Sequence, residues 1–158
     1  MYTCTITVYF AGCPDHIIEI VKAIPPLLHF THEFTAGNGV DTARVSVADV
    51  VIAGPDLDMD AYMALPDAMR ADAELVLLAQ RESVLPATLL TRAADIWRMP
   101  MPDAELRFHF SRWQERFKQG KDLWQAQQFL ECALNTTPNL IWFKDKDGIH
   151  EKVNDSFC

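Results

Sequence analysis

The chain has 158 residues, room for one ordinary domain and a piece of another. With 49% hydrophobic and 23% charged residues the composition is globular and excludes a disordered chain. A net charge of −8 argues against a general nucleic-acid binder, whose phosphate affinity needs clustered basic charge. No apolar run reaches the ~18 residues of a membrane span.

The opening segment alternates Thr with apolar residues and has no basic residue before Lys22, unlike a secretory leader. Cys4, Cys13, Cys132 and Cys158 are scattered, with no C-x-x-C pair, which implies a reduced, cytoplasmic setting. Thr5 to Phe10 is β-branched and aromatic and predicts a strand, ended by Ala11-Gly12-Cys13-Pro14. Pro14 and Asp15 suit a helix start, and Ile17, Ile18, Ile20, Val21 and Ile24 supply its apolar stripe until Pro25-Pro26. A weaker strand is expected over Leu28 to Phe34, with Leu28, Phe30 and Phe34 on one face. Residues 35–46, around Gly37-Asn38-Gly39, leave room only for a short helix.

Val47 to Ala53 and Glu74 to Ala79 are continuous apolar runs, as in strands buried on both faces. Asp58 to Asp72 carries Met59, Tyr62, Met63 and Met69 at helical spacing, with Pro66 as a kink or restart. Pro86 to Ala94 predicts a shorter helix, and Asp95 to Arg98 a last short strand. Strand and helix alternate about five times over roughly a hundred residues, which predicts an α/β domain: a five-stranded open parallel sheet with helices on both faces. Strand order stays open at this level.

From Pro102 the character changes. Asp103 to Leu134 contains no Pro and one Gly. Leu106, Phe110, Trp113 and Phe117 follow a coiled-coil-like spacing. The seam shifts by one residue near Gly120, to Leu123, Gln127, Leu130 and Leu134. At about 1.5 Å per residue such a helix exceeds 40 Å, too long to lie wholly on a small domain. A homodimer through this helix is therefore expected, using Phe110, Trp113, Phe117, Leu123, Leu130 and Leu134. Beyond Pro138, Leu140 to Phe143 and Ile149 to Val153 predict a hairpin around Lys144 to Gly148.

The last 25 residues, Leu134 to Cys158, resemble the opening of a PAS domain. An aromatic strand, a D-x-x-G turn (Asp145-Lys146-Asp147-Gly148) and a Val153-Asn154 ending before Phe157 come in that family's order. The first ~100 residues resemble a response-regulator receiver, which adopts the flavodoxin-like arrangement. Asp49 to Gly54 followed by Asp58-Met59-Asp60-Ala61-Tyr62 is similar to its third strand and D-M-D-G-F-like loop. Ala93 to Met101 is similar to its G-A-x-D-Y-L-x-K-P-F ending. The implied organisation is a receiver-like domain (1–102), a signalling helix (103–134) and the start of a PAS domain (135–158).

The family's chemistry does not carry over. Its acidic pair after the first strand is replaced by Ala11 and Gly12, its phosphoacceptor Asp by Gly54, its Thr or Ser by Ala79 and its Lys by Met99. Phosphoryl transfer needs a nucleophile, a metal and positive charge, and all of these positions are changed together. Asp56 is the weak alternative acceptor. Asp56, Asp58 and Asp60 begin like a calcium loop, but Ala61 replaces the Gly and Asp67 the final Glu, so a solvated helix start is the better reading. His29 and His32 read as surface or half-buried residues, and Cys13 as a small buried hydrophobe.

No catalytic residue, metal or cofactor is expected in this chain, and neither nucleic acid nor membrane as partner. The resemblance implies a regulatory and dimerisation module acting in cis on a PAS domain and an output. A GGDEF-type diguanylate cyclase, making c-di-GMP, is the first expectation for that output and a histidine kinase the second. The alternatives are a protein-docking adaptor and a flavodoxin-like small-ligand binder at the Cys13/Gly54 crevice.

Overall fold

The structure is a computed structural model in which residues 4–136 and 141–153 are described. The chain divides into two compact units after Gln114. In the first, β1 (Cys4–Ala11), α1 (Asp15–Lys22), β2 (Phe30–Gly37), α2 (Thr42–Val45), β3 (Val50–Ala53), α3 (Met59–Ala68), β4 (Glu74–Gln80), α4 (Ala87–Arg92) and β5 (Ala93–Met99) follow one another. They build a five-stranded sheet of order β2-β1-β3-β4-β5, parallel throughout, which is the flavodoxin-like order. The helix α5 (Asp103–Thr136) begins in this unit and continues into the second.

The topology follows from right-handed crossovers. The chain moves one way from β1 to β2 and the other way from β2 through β5, so α1 lies on the face opposite α2, α3 and α4. Side-chain alternation serves both layers. Tyr9, Ala11, Val51, Ala53, Leu75 and Leu77 join one core cluster with Val45, Leu65 and Leu89. Val8, Phe10, Ile52, Val76 and Leu78 point the other way and are equally buried, as are Ile17, Ile18 and Val21 of α1. Glu74 to Ala79 does behave as a strand covered on both sides.

Several boundaries differ from those expected. The second strand starts at Phe30 and runs on to Gly37, because His29 at φ +70° breaks the extended chain and Phe30 N–H closes a turn on the Leu27 carbonyl. Leu28 is 75% exposed and shares no face with Phe30. The third strand begins at Val50 and not Val47, since Ala48 N–H is still bonded to Val45 in the turn after α2. Asp49 holds that entry by accepting from Thr7 N–H at 2.9 Å and pairing with Arg70 at 2.9 Å. The third helix stops at Ala68 because Met69 turns extended.

The second unit contains α5 from Glu115 onward and an antiparallel hairpin, β6 (Trp142–Lys144) with β7 (His150–Val153). Its turn is built by Asp145, whose carboxylate accepts from the N–H groups of Asp147 and Ile149 at 2.9 and 2.8 Å, and by Gly148 at φ +80°. Trp142, Phe143 and Ile149 are exposed. Leu140, Asn154, Phe157 and Cys158, which belong to the PAS-like segment, lie outside the described residues.

Candidate functional site

The strand register brings the expected site positions to one edge. Ala11 lies beside Ala53, Ala53 beside Leu77, Ala79 beside Arg98, and Gln80 beside Met99, so Gly12, Gly54, Ala79 and Met99 gather at the carboxyl ends of the strands. Ligands of open α/β sheets bind at this end.

Backbone occupies the centre of this edge. Gly12 turns left-handed at φ +57°, donates its N–H to Gly37 at 2.8 Å and accepts from Asp56 N–H at 3.1 Å, while Gly54 N–H donates to Ala11 at 2.7 Å. A Cβ on Gly54 would stand 2.6 Å from Cys13 Cα and 2.7 Å from the Gly12 carbonyl carbon, and would overlap the Gly12 carbonyl oxygen. Glycine is therefore needed here for close approach of two backbones. A Cβ on Gly12 would meet Leu57 Cγ at 2.7 Å. No side chain reaches out from position 54 without moving β1's exit loop.

One hydroxyl and one thiol bond to backbone carbonyls at this edge. Tyr62 donates its O–H to the Gly54 carbonyl at 2.6 Å, and Cys13 donates its S–H to the Ile52 carbonyl at 3.2 Å. Burial pushes both groups up to about 12, with the Cys13 and Asp56 charges adding to it for Tyr62 and the Asp56 charge for Cys13. Cys13 is thus a protonated thiol, poor as a nucleophile or redox centre. Asp56 is exposed, and Asp58 accepts from Ala61 N–H at 2.7 Å as the N-cap of α3. Among the described residues no group of three or more His, Cys, Asp or Glu gathers in a way that could hold a metal.

Open space lies beside the sealed crevice. A cleft of about 530 Å³ is bounded by Pro14, His16, Pro55, Arg81, Met99 and Pro100. Arg81 and Glu82 put opposite charges on its wall.

The other singled-out residues fall elsewhere. His29 is exposed, whereas half-buried His32 bonds Gln114 at 2.9 Å and meets Phe34 and Phe110 edge to face. Phe110 and Trp113 are enclosed by the first unit itself: their rings lie 5.4 Å apart, and Trp113 Nε1–H donates to Glu74 at 2.8 Å. Phe117 is buried too, while Leu123 and Leu130 are exposed and Leu134 is half-buried. The residues expected to make a dimer interface thus split into a covered and an uncovered set. Sequence reasoning missed Tyr9, whose O–H donates to Gly39 at 2.8 Å and whose hydroxyl oxygen occupies the space a Cβ at Gly37 would take. The paired glycines around Asn38 were the available signal.

No family model matches the chain, and no curated protein matches it in sequence. Among solved structures, a response regulator receiver domain protein from Clostridium thermocellum is similar, with 16% identity, 72% of this chain and 98% of that chain covered, and a TM-score of 0.48. The fold assignment rests on the strand order and the parallel register.

Proposed function

We propose that this chain is the regulatory part of a bacterial signalling protein. A receiver-like domain that does not accept phosphate is joined by α5 to a PAS domain starting near residue 135. Beyond it stands an output module, with a diguanylate cyclase ahead of a histidine kinase. The single observation that carries the first part is the contact of Gly54 with the Gly12–Cys13 backbone. A receiver needs a carboxylate at that position, and here a Cβ alone has no room. The changed residues at Ala11, Gly12, Ala79 and Met99 support the same reading, since neither a metal nor a transferred phosphoryl group finds its partners. The PAS and output assignments rest on the sequence resemblance and on the Asp145–Gly148 turn, which supports it.

Incubation of the chain with Mg²⁺ and acetyl phosphate, followed by intact mass measurement, should leave the mass unchanged. A stoichiometric gain of one phosphoryl group, lost in Asp56→Ala, would overturn the reading and make Asp56 the acceptor.

The cleft beside Pro55 and Met99 favours a second reading, a small-ligand binder working at this edge of the sheet. Its ligand would enter next to the Cys13/Gly54 crevice, because the crevice itself is filled. A protein-docking adaptor is the remaining alternative.

A further inference from the structure

We infer that residues 120–134 of α5 pair with the same residues of a second copy, in parallel and in register, with Gln127 facing Gln127. The inference goes beyond the regulatory reading and is independent of it, because phosphoryl labelling does not report oligomeric state.

The helix carries two apolar stripes. Leu106, Phe110, Trp113 and Phe117 form the first, and all of them are buried. At Gly120 the stripe moves round the helix by one residue. Gly120, Leu123, Gln127, Leu130 and Leu134 then repeat with 3-4-3-4 spacing, which makes positions 120, 127 and 134 the a positions of a heptad and 123 and 130 the d positions. Leu123 is 72% exposed and Leu130 54%, with Trp124 at the rim 59% exposed. Phe129, also exposed, lies about a third of a turn away and is outside this seam.

Charge and chemistry select a second copy as the occupant. The seam contains no charged residue, and its other rim is Gln119, Ala126 and Ala133. Of the charges nearby, Lys118 pairs with Asp122 and Lys121 lies 5.2 Å from the Phe117 ring centroid, while Glu131 stands on the same rim as Trp124, outside the a and d positions. Gln127 decides the alignment. An apolar groove on a foreign partner would leave its amide buried without a partner, which is costly. An antiparallel copy sets a against d and places Gln127 on a leucine. A parallel copy in register brings amide to amide, each able to donate and to accept, and a single polar a position is a known way of fixing register.

The full chain should run as a dimer by light scattering at micromolar concentration. Under mild oxidation Gln127→Cys should form a disulfide-linked dimer reversed by reductant, since facing a positions come within disulfide reach. Cys132 should not cross-link in this way, although it is exposed, because it lies about half a turn from the seam. Leu123→Glu combined with Leu130→Glu should weaken the dimer about 100-fold or more, by exposing two buried leucines per chain. Half-buried Cys13 should remain unreactive toward iodoacetamide in that variant, which reports that the α/β domain stays folded. A monomeric parent chain, a double variant that stays dimeric, or a dimer that cross-links through Cys132 and not through Gln127→Cys would each overturn the inference.

Discussion

Two stretches of one helix meet opposite fates. In its first four turns, Leu106, Phe110 and Trp113 are between 0 and 2% exposed, whereas Leu123 and Leu130 further along are mostly in solvent. Both stretches carry large apolar residues at coiled-coil spacing, so composition does not separate them. The difference lies in what each stripe meets. Phe110 and Trp113 find His32 on β2 and Glu74 on β4, groups far away in sequence. A stripe read from sequence states that something must cover it, and only the fold states whether that cover is the chain's own domain.

Glycines allow the sharpest test of this contrast, because the same substitution should have opposite signs in the two regions. Gly54→Ala should destabilise the α/β domain by about 1–3 kcal/mol in urea unfolding, as expected when a methyl group is forced into filled space. Gly120→Ala, where an added Cβ meets nothing within 4 Å, should stabilise by about 0.5–1 kcal/mol because an interior helical glycine is relieved. A stabilising Gly54→Ala would show that the exit loop of β1 is free to move aside.

The cysteines give a smaller contrast of the same kind. Exposed Cys132 should react with iodoacetamide in the native chain, whereas Cys13 should react only after unfolding. The alkaline limb follows from the raised values of Cys13 and Tyr62. Their extra stability is present below the ordinary values of 9.0 and 10.0, where both states are protonated, and is lost as pH rises toward about 12 because only the unfolded chain releases the protons. Cys13→Ala and Tyr62→Phe should each flatten that loss in chemical unfolding between these limits. An unchanged slope would mean that the groups are not held beneath the Gly12–Gly54 contact.

Much of the first unit was legible in the sequence. Buried parallel strands leave continuous apolar runs, and breakers such as Gly12-Cys13-Pro14 and Gly54-Pro55 mark where the carboxyl edge must lie. That Ala11, Gly12, Gly54, Ala79 and Met99 share an edge followed from their positions at strand ends. The closure of the edge was not legible, because the contact between Gly54 and Cys13 joins residues about forty positions apart and depends on a left-handed turn at Gly12. Nor was the Tyr62 hydroxyl's bond to Gly54, since Tyr62 reads simply as part of an apolar helical stripe. Edges of strands such as Val50 and Phe30 shifted because neighbouring turns, set by Asp49 and His29, decide where pairing starts.

The central claim is that the carboxyl edge is closed to phosphoryl chemistry by its own backbone. The most direct measurement is to follow the amide resonances of Gly12, Cys13, Gly54 and Asp56 while adding Mg²⁺ together with beryllium fluoride, a phosphoryl mimic. The account predicts no saturable shift at these four amides. A saturable shift requiring both additives would contradict it and show that the edge opens to hold the metal and the acyl-phosphate mimic.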